Sequence, residues 1–316
     1  MPVLPATAET VARAAQALSR GECVAFPTET VYGLGANALN AAAVARVFAA
    51  KARPRFNPLI VHVPDRAAAE AYAEFDETAR RLADAFWPGP LSLVLPKRAG
   101  CGIADLVTAG LDTIALRAPN HAVAQALLAE ANIPLAAPSA NRSGRISPTS
   151  AAHVAAELGD SPAMILDGGP CARGIESTVV RVTGDAPVLL RLGAVPREDV
   201  EAVLGHALSA AGEDTPIASP GQLERHYAPA TPLRLGATSV NADEALLAFG
   251  PNAPAGASTT LNLSASGDLA EAATNIFASL RTLDEAGVSA IAVMPIPDHG
   301  LGEAINDRLR RAAKSR

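Results

Sequence analysis

Apolar positions recur at helical spacing over 9–19, where Val11, Ala14, Ala15 and Leu18 share a face before Gly21. The short apolar run 22–26 predicts a strand. It breaks at Pro27 into Thr28-Glu29-Thr30-Val31-Tyr32-Gly33-Leu34-Gly35, which reads as a polar loop on a strand end, where ligands bind. A helix is predicted over 41–52, with Asn40 as N-cap and Pro54 as stop. In the strand 59–63, alternation puts Leu59, Val61 and Val63 on one face and Ile60 and His62 on the other. A helix over 78–86 ends at Trp87-Pro88-Gly89-Pro90, and strands follow at 91–95 and 113–117. A helix at 122–131 and a short strand at 135–137 lead into Pro138-Ser139-Ala140-Asn141-Arg142-Ser143-Gly144. Ser147-Pro148 reads as N-cap and first position of the next helix, closed by Gly159. A strand at 164–166 runs into Asp167-Gly168-Gly169. The runs 177–182 and 188–192 read as a hairpin about Thr183-Gly184-Asp185. Symmetry about Gly184 sets Ser177 opposite Arg191; a bulge would shift that register.

The pattern changes near Gly205. Residues 207–220 are mostly Ala, Gly, Ser, Pro and acid, with little core potential, the composition of a linker. Arg225-His226-Tyr227 interrupts it with two cation-capable groups and a phenol. Beyond it, strands are predicted at 246–249, 260–263 and 288–294 and helices at 269–286 and 303–313, a second and smaller α/β unit.

Composition narrows the class. The 316 residues suit two domains, and 49% hydrophobic against 18% charged residues marks a globular chain. The net charge of −6 argues against a broad nucleic-acid footprint, though not against a local basic cleft. Cys23, Cys101 and Cys171 lie far apart, which gives neither a disulfide framework nor a zinc site and fits a reducing compartment. With no apolar run near the ~20 residues of a membrane span and no leader pattern, a cytoplasmic protein is expected.

Each candidate side chain has a bland reading. Lys51 and Arg53, at a helix C-terminus, read as solvated dipole partners or as a phosphate clamp. His62 reads as a satisfied core histidine. Arg117, on the core side of a strand end, must find an anion, either a ligand carboxylate or a structural Asp or Glu. Turn chemistry alone accounts for Ser139 and Asn141. Neither sits in a serine-hydrolase elbow, Gly33-Leu34-Gly35 lacks the third glycine of a dinucleotide fingerprint, and no P-loop occurs. Arg308, Arg310, Arg311, Lys314 and Arg316 read as a solvated helix face.

Taken in order, the blocks are specific. Pro27-Thr28-Glu29-Thr30-Val31-Tyr32-Gly33-Leu34, Lys51-Ala52-Arg53-Pro54 and Asn57-Pro58-Leu59-Ile60-Val61-His62 closely resemble the YrdC family. So do Trp87-Pro88-Gly89-Pro90, Ala137-Pro138-Ser139-Ala140-Asn141, Asp167-Gly168-Gly169 and Glu176-Ser177-Thr178-Val179. Ser219-Pro220-Gly221, His226-Tyr227-Ala228-Pro229 and Gly300-Leu301-Gly302-Glu303-Ala304-Ile305 are similar to its longer, two-domain form, although Gln222 stands where that form has a methionine or similar residue. The resemblance implies an open, twisted α/β sheet domain over 1–205, a linker or lid over 206–230 and a smaller Rossmann-like domain over 231–316.

The resemblance also implies an activity: a nucleotidyltransferase that joins L-threonine, bicarbonate or CO2, and ATP into L-threonylcarbamoyladenylate and pyrophosphate. Downstream transferase proteins pass the group to tRNA next to the anticodon; direct tRNA binding by this chain is not required. By resemblance the threonine site comprises Thr30, His62, Arg117, Ser139 and Ser177, with Thr28 an alternative to Thr30. The ATP site comprises Lys51, Arg53, Asn57, Asn141, Ser147, Arg191 and Tyr227, with Ser139 bordering the nucleotide and Tyr227 acting as a lid. No residue is assigned as an acid, base or nucleophile, because positioning and charge neutralisation dominate such chemistry. Mg2+ is expected on the phosphates of ATP, not in a protein cage. An RNA-binding module and a hydrogenase-maturation carbamoyltransferase are the competing readings; the acidic net charge weighs against the first and the absence of zinc-type cysteine clusters against the second.

Overall fold

The computed structural model describes residues 2–184, 186–210, 212 and 226–314. Ser219-Pro220-Gly221, Gln222 and Arg225 therefore lie outside the described residues. In chain order the first part comprises β1 (Val3–Pro5), α1 (Ala8–Ser19), β2 (Val24–Phe26), β3 (Gly33–Asn37), α2 (Ala41–Lys51), β4 (Ile60–His62), α3 (Arg66–Ala69) and α4 (Glu77–Phe86). β5 (Leu91–Pro96), α5 (Asp105–Thr108), β6 (Thr113–Arg117), α6 (Ala122–Ala131), β7 (Leu135–Ala136), α7 (Ala151–Leu158) and β8 (Met164–Asp167) follow. It closes with β9 (Thr178–Arg181), β10 (Val188–Arg191), α8 (Arg197–Leu204) and β11 (Ser209–Ala210). Among the described residues these strands form one mixed sheet, ordered β1-β8-β2-β3-β7-β4-β6-β5-β9-β10-β11.

Alternation along the central strands builds the site. Leu59, Val61, Val63, Leu91, Leu93, Leu95, Ile114, Leu116, Val180 and Val182 all enter one large core cluster. The intervening residues turn to the other face, where Ile60, Val94, Ala115 and Val179 make a small apolar patch. His62 pairs with Arg117 across β4 and β6, and Leu93 with Leu116 across β5 and β6, so His62, Arg117 and Ser92 share that second face.

Three sequence expectations are corrected. Residues 33–37 are a strand, antiparallel to β2, although Gly33 and Gly35 made them look like loop. A Cβ at Gly35 would stand 2.7 Å from the Phe26 ring, so glycine here permits close strand packing. Ser147-Pro148 does not open a helix: α7 starts at Ala151, with the Ser150 hydroxyl accepting from the His153 amide. Ser147 is buried and takes a tertiary partner instead. In the hairpin, Val188 pairs with Arg181 and Leu189 with Val180, then the register shifts and Arg191 pairs with Val179, not Ser177.

The second part comprises β12 (Leu233–Leu235), β13 (Ala245–Ala248), β14 (Thr259–Asn262), α9 (Leu269–Asp284), β15 (Ile291–Val293) and α10 (Leu301–Ala313). Its four strands are all parallel, ordered β12-β15-β13-β14. The apolar faces of α9 and α10 pack against this sheet, and the same cluster takes in Val31, Ile146, Ile175 and Ala194 of the first part. The two parts thus share a core. At Gly174 (φ +70°) a Cβ would lie 2.3 Å from the Thr274 carbonyl oxygen of α9, so backbone meets backbone there.

Candidate functional site

A cavity of about 50 Å³ lies on the second face of the large sheet. Its lining includes Thr30, His62, Arg117, Ser139, Ser177, Arg53, Arg191 and Tyr227, eight of the twelve residues singled out from sequence. Lys51, Asn57, Asn141 and Ser147 stand behind the wall. Thr28, named above as the alternative to Thr30, also lines it, as do Glu176 and His226, neither of which was assigned from sequence.

One flank is built by the β2–β3 loop and β6. The Thr28 hydroxyl donates to the Val31 carbonyl (2.7 Å) and accepts from the amides of Thr30 and Val31, so it braces the turn. The same hydroxyl lies 2.9 Å from the Thr30 hydroxyl, and either oxygen can donate in that pair. Thr30 also accepts from Arg117 Nη1 at 2.9 Å.

Arg117 Nη2 lies 2.7 Å from Glu29 Oε1, both side chains being buried. The anion that Arg117 required is therefore a structural glutamate. Burial alone raises the Glu29 carboxyl, but the Arg117 charge and hydrogen bonds outweigh it and hold the group below the usual carboxylate range. Burial, with repulsion by Arg117, lowers His62 to about 3, so its ring is neutral. The ring meets Phe26 edge-on at 6.1 Å.

The floor carries Ser177. Its hydroxyl sits 2.8 Å from the Ser92 hydroxyl and accepts from Arg191 Nη2 at 3.0 Å. Arg191 Nε and Nη2 also donate to the Ser177 carbonyl. The bulge moves the backbone register, yet the long arginine side chain restores the Ser177–Arg191 partnership.

The opposite flank is cationic. Arg53 donates to the Asn57 and Pro58 carbonyls, at 3.1 and 2.9 Å. Burial, then repulsion by Arg191, lowers its guanidinium to about 9. Lys51 is buried, not solvated, and its ammonium donates to the carbonyls of Ser139 and Asn141. It ties the Pro138–Asn141 loop to α2, and burial and the neighbouring Arg53 push its pKa well down. Asn141 Nδ2 donates to the carbonyls of Arg142 and Arg145, ordering the next turn.

The lid side is closed by Tyr227, which has φ +65°. Its ring stacks on Phe277 of α9 at 5.5 Å and meets His226 at 4.1 Å. The Ala228 amide donates to the Gly144 carbonyl at 3.0 Å, docking this segment on the loop that follows Asn141. Burial raises the Tyr227 phenol to about 12. His226 is held neutral by burial and by the charges of Lys51, Arg53, Arg308 and Arg191.

Arg308 corrects another expectation. It does not belong to a solvated face: it is 0% exposed, its Nε lies 3.0 Å from Glu176 Oε2, and its Nη2 donates to the Leu192 carbonyl. The other Glu176 oxygen accepts from Ser147 Oγ at 2.5 Å. Sequence carried no signal for Arg308, because its burial depends on two distant parts packing together. Ser92 was readable, as a lone hydroxyl at an alternate position of an apolar strand.

Comparison with known proteins bears on the family and the fold. A Sua5/YciO/YrdC family model, described as telomere recombination, matches residues 16–193. A second, described as the threonylcarbamoyl-AMP synthase C-terminal domain, matches residues 195–314. A threonylcarbamoyl-AMP synthase of Bacillus subtilis is 42% identical, over 97% of this chain and 93% of that protein. The crystal structure of Pyrococcus abyssi Sua5 complexed with L-threonine matches with a TM-score of 0.89 at 38% identity, covering 97% of this chain and 95% of that one. Full-length HypF in a phosphate- and nucleotide-bound form, 24% identical and covering 58% of this chain and 29% of its own, has a TM-score of 0.51 and shares the fold alone.

Proposed function

The chain belongs to the two-domain Sua5/YrdC family of threonylcarbamoyl-AMP synthases, and from that premise we propose how its site makes L-threonylcarbamoyladenylate from L-threonine, bicarbonate or CO2, and ATP. The convergence of Thr30, His62, Arg117, Ser139, Ser177, Arg53, Arg191 and Tyr227 on one cavity carries the reading. The threonine carboxylate meets Arg117, whose fork already spans Glu29 and Thr30. The substrate hydroxyl and amine meet Thr30, Ser139 and Ser177. His62, neutral and lining the cavity, suits a hydrogen-bonding contact with the amine. With a pKa of about 3 it is a poor base, which fits catalysis by positioning.

The amine adds to CO2, or to bicarbonate with loss of water, and gives a carbamate. A carbamate oxygen then attacks the α-phosphorus in line, and the bond to the pyrophosphate oxygen breaks. Arg53 and Arg191 face the phosphates. Lys51, Asn57, Asn141 and Ser147 act one layer back, by shaping the loops that border the nucleotide. Mg2+ carried by the phosphates would offset their charge; Glu29 and Glu176 are each engaged by an arginine.

Tyr227 lines the cavity, and its segment is the element we assign as the lid over the nucleotide. The product would pass to transferases that act on tRNA. Among the described residues no helix is long and apolar enough to cross a membrane, and we place the reaction in the cytoplasm. The test is to incubate the protein with ATP, Mg2+, L-threonine and isotopically labelled bicarbonate. Label should appear in an adduct with the mass of threonylcarbamoyl-AMP; ATP consumption without labelled adduct would reject the reading.

A further inference from the structure

Apart from the pocket-lining side chains, one buried cluster ties the cavity to the second part of the chain. Arg308, on α10, engages each of its three nitrogens inside the protein. Nε reaches Glu176 Oε2 at 3.0 Å, Nη1 reaches Asp307 Oδ2 at 2.8 Å and Nη2 reaches the Leu192 carbonyl at 2.7 Å. Its guanidinium also stands 5.1 Å from the centre of the Tyr227 ring. Glu176, which lines the cavity, takes Ser147 Oγ with its other oxygen. One side chain of the second part thus sets both Glu176 and the face of Tyr227, and through Glu176 it fixes Ser147.

We propose that Arg308 is a positioning residue for the nucleotide, by which docking of the second part completes the ATP side of the site. This rests on the assignment of Ser147 and Tyr227 to the nucleotide. Arg308 touches neither substrate. It holds the Glu176 carboxylate between a cation and a hydroxyl, away from the phosphates' path, and backs the Tyr227 ring. The threonine flank, Glu29–Arg117–Thr30, is made entirely within the first part, with no contact to α10 among these bonds. Loss of Arg308 should therefore separate the two substrates. It leaves Glu176 buried without its cation, free to turn toward the cavity where it would repel a triphosphate. Arg308→Lys keeps the charge but cannot span Glu176, Asp307 and the Leu192 carbonyl together.

The interface offers a control. Arg197 and Glu303 pair at 3.2 Å between the same two parts, and neither lines the cavity. The test measures KM for ATP and for L-threonine in wild type, Arg308→Lys, Arg308→Met and Arg197→Met, and titrates each protein with ATP alone. We expect KM and Kd for ATP to rise about tenfold or more in Arg308→Met and by less in Arg308→Lys, while KM for threonine changes less than about twofold. Arg197→Met should leave both unchanged. Equal loss of both substrates in Arg308→Lys, or an ATP defect of the same size in Arg197→Met, would mean general docking and would overturn the proposal. Should the wild type release no threonine-dependent pyrophosphate, the reaction assignment fails; the ATP titration still decides the role of Arg308, and a wild type that binds no ATP overturns both.

Discussion

Two buried arginine–glutamate pairs border the cavity, and they are built differently. Glu29–Arg117 closes within one sheet, at 2.7 Å, between a loop and the end of β6. Glu176–Arg308 closes at 3.0 Å between the first part and a helix some 130 residues further on. Arg117 still offers its fork to the cavity it lines, whereas Arg308 lies behind the wall with every nitrogen engaged. The Glu29–Arg117 pair is therefore a property of the first part alone. The Glu176–Arg308 pair exists only while the second part is docked.

The strongest way to break this contrast is Arg117→Ala. It strands Glu29 as an uncompensated buried carboxylate, which should cost about 3–5 kcal/mol in denaturant unfolding. Adding Glu29→Gln should recover much of that loss. In the folded fraction, threonine binding should fall more than ATP binding, and equal loss of both would remove the carboxylate assignment. Next in size is Gly174→Ala, whose Cβ would collide with the Thr274 carbonyl. Undocking should raise KM for ATP about tenfold and leave the Kd for threonine nearly unchanged.

A third change sharpens the account of His62. Its folded-state pKa, about 3, lies below the unfolded value of 6.5. As pH falls the unfolded chain takes up that proton first, so the stability present above pH 6.5 is lost between pH 6.5 and 3. The slope should be about 1.4 kcal/mol per pH unit, and His62→Gln should remove it from a series of unfolding curves. The smallest effect is expected for Ser92→Ala, which deprives the Ser177 hydroxyl of a partner at about 1 kcal/mol without touching the lid.

What sequence revealed follows the same division. Period-two alternation placed His62 opposite the Leu59/Val61/Val63 stripe, and Arg117 at a strand end demanded an anion, although it lies on the cavity face and not, as expected, on the core side. Most strands and helices of both α/β units were legible from the same local patterns, whereas the open sheet and the Rossmann-like second unit came from the family resemblance. Gly33–Asn37 was hidden because glycines that permit strand packing resemble loop glycines. Ser147-Pro148 imitated a helix start, and only the position of Glu176 explains why it is not one. Lys51 looked solvated because its partners, the Ser139 and Asn141 carbonyls, lie on a distant loop. Arg308 sits among Asp307, Arg310 and Arg311 on a helix that reads as polar, and its burial follows from docking, which no local pattern encodes.

The central claim is that one cavity brings threonine and ATP together. Pyrophosphate release from the purified protein with ATP, Mg2+ and bicarbonate, with and without L-threonine, tests it most directly. Release should depend on threonine and drop when serine or valine replaces it. Release that ignores threonine, or none at all, would contradict the account.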